Sequence, residues 1–182
     1  MKNFIVVSAP SGAGKTTLCR ELQRRQPELL FSLSCTTRPR RSIETDGVDY
    51  SFISEEKFNA MVAADEFAEH EEVHGYQYGT PKKILDETIA GNQRMLFEVD
   101  VKGAMSIKRL YPERTISIFI LPPDVETLRE RLLLRGTDSP ERIQKRLERM
   151  AIEIGYQDKF EYTVVNDDID RATAELIKII SQ

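Results

Sequence analysis

The chain has 182 residues, of which 40% are hydrophobic and 31% charged, enough for one compact core without a membrane segment, since no apolar run approaches the ~18 residues of a span. The formal net charge of −4 argues against nucleic-acid binding as the main business, and Cys19 and Cys35, with no C-x-x-C pair, support neither a disulfide scaffold nor a structural zinc site. Met1-Lys2-Asn3 runs straight into an apolar segment, so no signal peptide is expected and a cytoplasmic enzyme is the simplest fit.

Strand-like and helix-like runs alternate along the chain. Candidate strands are Phe4–Val7, Arg94–Val99, Thr115–Leu121 and Tyr162–Val165. Most are apolar throughout, as strands buried on both faces of a parallel sheet should be. Helical patterns follow at Lys15–Arg25, Val101–Leu110, Val125–Leu134 and Ile169–Ile180. This series predicts an α/β fold with a three-layer core around a parallel sheet. Ligands of such sheets bind outside the carboxyl ends of the strands, on the rim that carries Ser11–Thr17, Asp100 and Pro122. Two regions break the rhythm. Residues 33–83 are polar and turn-rich, with one helix over Glu55–Ala64 capped by Ser54, and read as an inserted small mixed α/β lobe. Residues 125–155 contain an arginine-rich stretch in which Ser139-Pro140 starts a new helix, the pattern of a helical lid. The expected core is therefore 1–32, 84–124 and 156–182, all within one domain.

Ser8-Ala9-Pro10-Ser11-Gly12-Ala13-Gly14-Lys15-Thr16-Thr17, between a strand and a helix, has the parts of a phosphate-binding P-loop. Its glycines allow a tight turn with inward N–H groups, and the helix start adds a positive dipole end. Lys15 would reach the β- and γ-phosphates and Thr16 would offer a hydroxyl to Mg2+. Ala9 stands where the usual motif begins with glycine.

Arg38-Pro39-Arg40-Arg41 concentrates guanidinium groups that suit a second phosphate, with hydroxyls at Ser34, Tyr50 and Tyr78 to complete a cage; the plain alternative is a solvated basic turn. Arg131 and Arg135 share a helical face, as do Arg142 and Arg146, and would close over a triphosphate unless Glu130, Glu141 and Glu148 neutralise them as surface pairs. In the acidic run 65–72, alternation puts Phe67, Glu69, Glu71 and Val73 on one face, and either Glu69 or Glu71 would accept N–H donors from a base. In Glu98-Val99-Asp100, the acid at the strand end either faces a metal or base or caps the next helix. Cys19 falls inside the P-loop helix and reads as packing.

The chain resembles the guanylate kinases over essentially its whole length. The matching residues are Ser8 to Thr16, Ser34-Cys35-Thr36-Thr37-Arg38, Arg41, Glu44, Gly47, Asp49-Tyr50-Ser51-Phe52, Glu69, Gly75 to Thr80, Asp100, Gly103, Arg131 through Thr137, Lys145-Arg146-Leu147 and Val165-Asn166-Asp167-Asp168. The resemblance implies transfer of the γ-phosphate of ATP to GMP, with dGMP as a further acceptor, and no nucleic-acid or membrane partner. It implies ATP contacts from Ser11, Gly12, Ala13, Gly14, Lys15, Thr16, Thr17, Arg131, Arg135, Asn166 and Asp168, with Mg2+ on Thr16 partly through water. It implies GMP contacts from Ser34, Arg38, Arg41, Tyr50, Glu69, Tyr78, Thr80 and Asp100. Lys15, Arg38, Arg41, Arg135 and Arg146 would carry the catalysis. The chain departs from the family in the order Arg38-Pro39-Arg40-Arg41, in Ile43 for glycine, Glu98 for aspartate, Lys102 for glutamine and Thr80 for serine. Two rival readings are a non-catalytic domain that binds a phosphopeptide in the acceptor site, which the presence of Lys15 and Thr16 opposes, and a kinase for another small phosphorylated acceptor.

Overall fold

The structure, a computed structural model, describes residues 2–42, 44–73, 75–124, 126–127 and 148–182. Strand β1 (Phe4–Ser8) is buried at every position. It is the central strand of a parallel sheet, flanked by β7 (Met95–Glu98) and β8 (Thr115–Leu121), with β2 (Leu30–Phe31) and β9 (Tyr162–Val165) at the edges. Parallel strands need crossovers, and the helices that supply them cover both faces. One face packs Ile5, Val7, Ile118 and Ile120 against Leu18, Cys19 and Leu22 of α1 (Lys15–Arg25) and Leu176, Ile179 and Ile180 of the last helix, α5 (Ile169–Ile180). The other packs Phe4, Val6, Phe97 and Phe119 against Leu85 of α3 (Lys82–Ala90) and Val101, Ala104 and Ile107 of α4 (Val101–Leu110). The expected three layers are thus present, and α1, α4 and α5 have the bounds that their periodicity predicts.

A second sheet has the order β4-β3-β6-β5, formed by β4 (Ser51–Phe52), β3 (Cys35–Thr36), β6 (Tyr76–Pro81) and β5 (Phe67–Val73). Helix α2 (Glu55–Ala63), capped by the Ser54 side chain, packs Phe58 on Phe67 with ring centroids 4.5 Å apart. Several features depart from the sequence reading. The β5–β6 register shifts between Phe67 and Glu69. This β-bulge turns Phe67 into the Cys35–Phe58 cluster, away from the face of Glu69, Glu71 and Val73, so simple alternation fails there. Helix α3, edge strand β2 and strand β3 have no counterpart in the expected elements. Helix α3 starts directly after Pro81 at the end of β6, with no intervening loop and no side-chain cap.

Candidate active site

The P-loop residues join β1 to α1. Gly12 and Gly14 take φ of 93° and 86°, values that an L side chain resists. Behind the loop, Asn166 follows β9 and donates from Nδ2 to the Ala13 carbonyl at 2.7 Å. Ala9 is itself buried in the core, which accommodates the methyl group in place of glycine. Across the loop, Lys15 Nζ donates to the Val99 carbonyl at 2.8 Å, and the Thr16 hydroxyl donates to Glu98 at the end of β7. The start of α1 and the end of β7 therefore form one wall.

The second sheet supplies the facing wall. Glu69 on β5 accepts the Thr80 hydroxyl at 2.5 Å, and Thr80 lies 3.4 Å from the Ser34 hydroxyl. Burial pushes the Glu69 carboxyl up to about 7, with Asp100 adding to the shift and the Thr80 hydrogen bond opposing it. Asp100 caps α4, accepting the Gly103 N–H at 2.8 Å, so the cap is made while the residue still lines the cleft. Tyr50 and Tyr78 stack edge-on at 5.9 Å, and burial, followed by the Glu98 charge, pushes the Tyr50 hydroxyl up to about 12.

Between the walls lies a cleft of about 360 Å³. Ser11, Gly12, Gly14, Lys15, Thr16 and Thr17 line it from the P-loop, Ser34, Tyr50, Glu69 and Tyr78 from the second sheet and its loops, and Asp100 from the start of α4. The remaining expected residues stand around it. Thr80 is buried behind Glu69, and Ala13 and Asn166 are buried behind the loop. Asp168 is exposed and caps α5, accepting the Arg171 N–H at 2.9 Å. Arg38 donates to Tyr78 at 3.1 Å and lies over the Tyr50 ring at 5.6 Å. Its guanidinium is forked on Glu44 at 2.7 and 3.1 Å, which holds the Glu44 carboxyl below its ordinary range. The clustered arginines thus have a built-in counter-ion, and Glu44 also accepts the Arg41 N–H at 2.8 Å while that side chain stays exposed. Cys19 is buried in the core and its thiol is pushed up by burial, consistent with packing.

Arg131, Arg135, Arg142, Arg146 and Ile43, with most of the expected lid, lie outside the described residues. Two lining residues escaped the sequence reading, Arg149 and Glu153. Glu153 accepts the Ser11 N–H at 2.9 Å and Arg149 Nε at 2.9 Å. Their spacing of four is a signal shared with many surface helix pairs. Carboxylates at Glu69, Glu71, Glu98, Asp100 and Glu153 face Lys15 and Arg149, so the described cleft combines anion-binding backbone with hydrogen-bond acceptors for a base.

Residues 1–182 match the family model described as guanylate kinase. A guanylate kinase of Carboxydothermus hydrogenoformans is 46% identical over 178 residues, covering 98% of this chain and 87% of the relative. One of Bacteroides fragilis is 42% identical over 179 residues, covering 98% and 88%. The solved guanylate kinase of Anaplasma phagocytophilum superposes with a TM-score of 0.79 at 30% identity, over 98% of this chain and 84% of that one. The shikimate kinase of Bacteroides thetaiotaomicron, at 12% identity and a TM-score of 0.54 over 98% of each chain, shares the fold alone.

Proposed function

The chain belongs to the guanylate kinase family, and we propose that it transfers the γ-phosphoryl group of ATP to GMP, giving ADP and GDP, with dGMP as a second acceptor. The observation that carries this reading is the single cleft with a P-loop on one wall and Glu69, Ser34, Tyr50 and Tyr78 on the other. ATP phosphates lie along the loop N–H groups and Lys15. The acceptor phosphate lies at Ser34, Tyr50 and Tyr78, with Arg38 and Arg41 neutralising it. Arg131, Arg135 and Arg146 close on the ATP phosphates, and Asn166 and Asp168 lie towards the adenine side. The division into core, acceptor lobe 33–83 and lid 125–155 belongs to the same reading, as does a cytoplasmic location, which suits two free, buried cysteines.

Catalysis here is positioning and charge neutralisation, because phosphoryl transfer needs no protein nucleophile. Ionised Glu69 accepts the guanine N1–H and 2-amino group, while Thr80 orients that carboxylate. Adenine lacks these donors and leaves Glu69 unpaired, a penalty that reaches ~10^4 in selectivity. Thr16 and Glu98 present a hydroxyl and a carboxylate oxygen side by side, a hard-oxygen pair that fits Mg2+ completed by water and phosphate oxygens. When bound, Mg2+ neutralises charge on the β- and γ-phosphates.

The test is ADP release from Mg-ATP with purified protein, offered GMP, dGMP, AMP, CMP, UMP or no acceptor. Turnover confined to GMP and dGMP is the expected result. Equal turnover with AMP overturns the guanine reading, and ADP release without acceptor indicates an ATPase.

A further inference from the structure

Helical residues 148–154 send Arg149 and Glu153 into the cleft. Glu153 is 6% exposed, although it is carried on a helix that also exposes Ile152. A buried carboxylate is costly unless its oxygens are satisfied. Both are: Oε2 accepts the Ser11 N–H at 2.9 Å, from 142 positions earlier in the chain, and Oε1 accepts Arg149 Nε at 2.9 Å. The far end of the same guanidinium, Nη2, lies 3.5 Å from Asp100 Oδ2, whose other oxygen holds the Gly103 N–H. One planar fork thus touches two carboxylates, one fastened to the P-loop and one fastened to the start of α4.

We propose that Arg149 is a positioning residue for phosphoryl transfer. With Glu153 it sets the P-loop at Ser11 against Asp100, and so fixes the separation of the two nucleotide sites. This rests on the ATP-to-GMP reading above. An ordinary exposed pair four residues apart on a helix contributes little and serves no distant group. Here the pair is partly buried, and one end continues into the P-loop while the other continues into the start of α4. The geometry needs arginine: Nε and Nη2 point at two acceptors from one rigid plane, whereas a lysine ammonium is a single point of charge. Misplacement of reacting groups by about an ångström costs up to roughly a hundredfold in rate.

The experiment compares Arg149→Gln, Arg149→Lys, Glu153→Gln and the double variant Arg149→Gln/Glu153→Gln in steady-state kinetics, with thermal melting as a control on folding. Arg149→Gln is expected to lower kcat/KM roughly ten- to a hundredfold and to raise KM for both GMP and Mg-ATP, because it releases both the P-loop and the carboxylate at the start of α4. Arg149→Lys should not rescue it. Glu153→Gln should raise KM for Mg-ATP, and the double variant should be no worse than Arg149→Gln alone. Wild-type kinetics in Arg149→Gln, rescue by lysine, or additive losses in the double variant each overturn the proposal. A loss confined to melting temperature does so too. A wild-type protein that does not phosphorylate GMP overturns the parent reading itself, and that outcome is distinct from a wild-type protein that turns over and an unaffected variant.

Discussion

Asn166 and Gly14 are fitted to each other. The Asn166 side chain donates to the Ala13 carbonyl at 2.7 Å, and the same Nδ2 lies 2.5 Å from where a Cβ on Gly14 would be. Gly14 is therefore required twice, by its left-handed backbone and by the amide that braces the loop from behind. The brace links the end of β9 to the turn that leads into α1, so the phosphate loop is held by the far side of the sheet.

Asn166→Ala should leave the buried Ala13 carbonyl without its donor and cost about 1–3 kcal/mol of stability. Urea unfolding reads this directly. KM for Mg-ATP should rise more than KM for GMP. Gly14→Ala should be worse on both counts, since the new methyl meets the amide and the φ of 86° is strained. An unchanged unfolding midpoint in Asn166→Ala refutes the brace.

On the proposed reading, Glu69 would make GMP binding pH-sensitive. Its carboxyl sits at about 7 in the folded chain against an ordinary 4.5. The folded state therefore holds a proton that the unfolded chain releases, so the stability tied to this group is fully present below pH 4.5 and is lost as pH rises through about 7. The loss is on the order of 3 kcal/mol. GMP binding is expected to run the other way, because on the proposed reading the guanine N–H donors need the ionised form. GMP affinity should fall about tenfold per pH unit below the folded pKa. Calorimetric titration between pH 5 and 8 checks this. In Glu69→Gln the residual affinity should follow only the titration of the GMP phosphate.

Gly103 protects the same carboxylate. A Cβ there would lie 2.8 Å from Glu69 Oε2 and 3.3 Å from Asp100 Oδ1. Gly103→Ala is predicted to raise KM for GMP roughly tenfold, equivalent to about 1.4 kcal/mol, while KM for Mg-ATP stays within about twofold. A parallel rise in both constants would show that the methyl disturbs more than the acceptor wall.

Glu44 keeps Arg38 in place. The forked pair is nearly buried, with both side chains 11% exposed. Glu44→Ala removes a charge-assisted partner worth about 2 kcal/mol and frees Arg38 from its stacked position over Tyr50. The expected result is a lower melting temperature together with a higher KM for GMP. Glu44→Gln, which keeps the shape but not the charge, should fall between. Wild-type KM for GMP in Glu44→Ala would separate Arg38 from acceptor binding.

The P-loop and helices α1, α4 and α5 were legible in the chain itself. Their signals are local: Gly12 and Gly14 just before Lys15, and apolar positions such as Val101, Ala104 and Ile107 repeating at helical spacing. The residues proposed to bind phosphate and base were legible as residue types. Their meeting in one cleft was not, because that depends on how the second sheet packs beside α4. The β-bulge at Phe67 and Glu69 shows why. Alternation predicts one face, but packing of Phe67 on Phe58 outweighs a regular ladder, and no neighbouring residue announces the extra step. Arg38 looked like a cation awaiting an anion, whereas the fold supplies Glu44 six positions on. Glu153 and Ser11 are 142 residues apart, and nothing local links them. Motifs made by consecutive residues are written in short-range sterics and hydrogen bonds. Contacts between distant residues exist only once burial of the two apolar faces of the sheet has fixed where each loop ends.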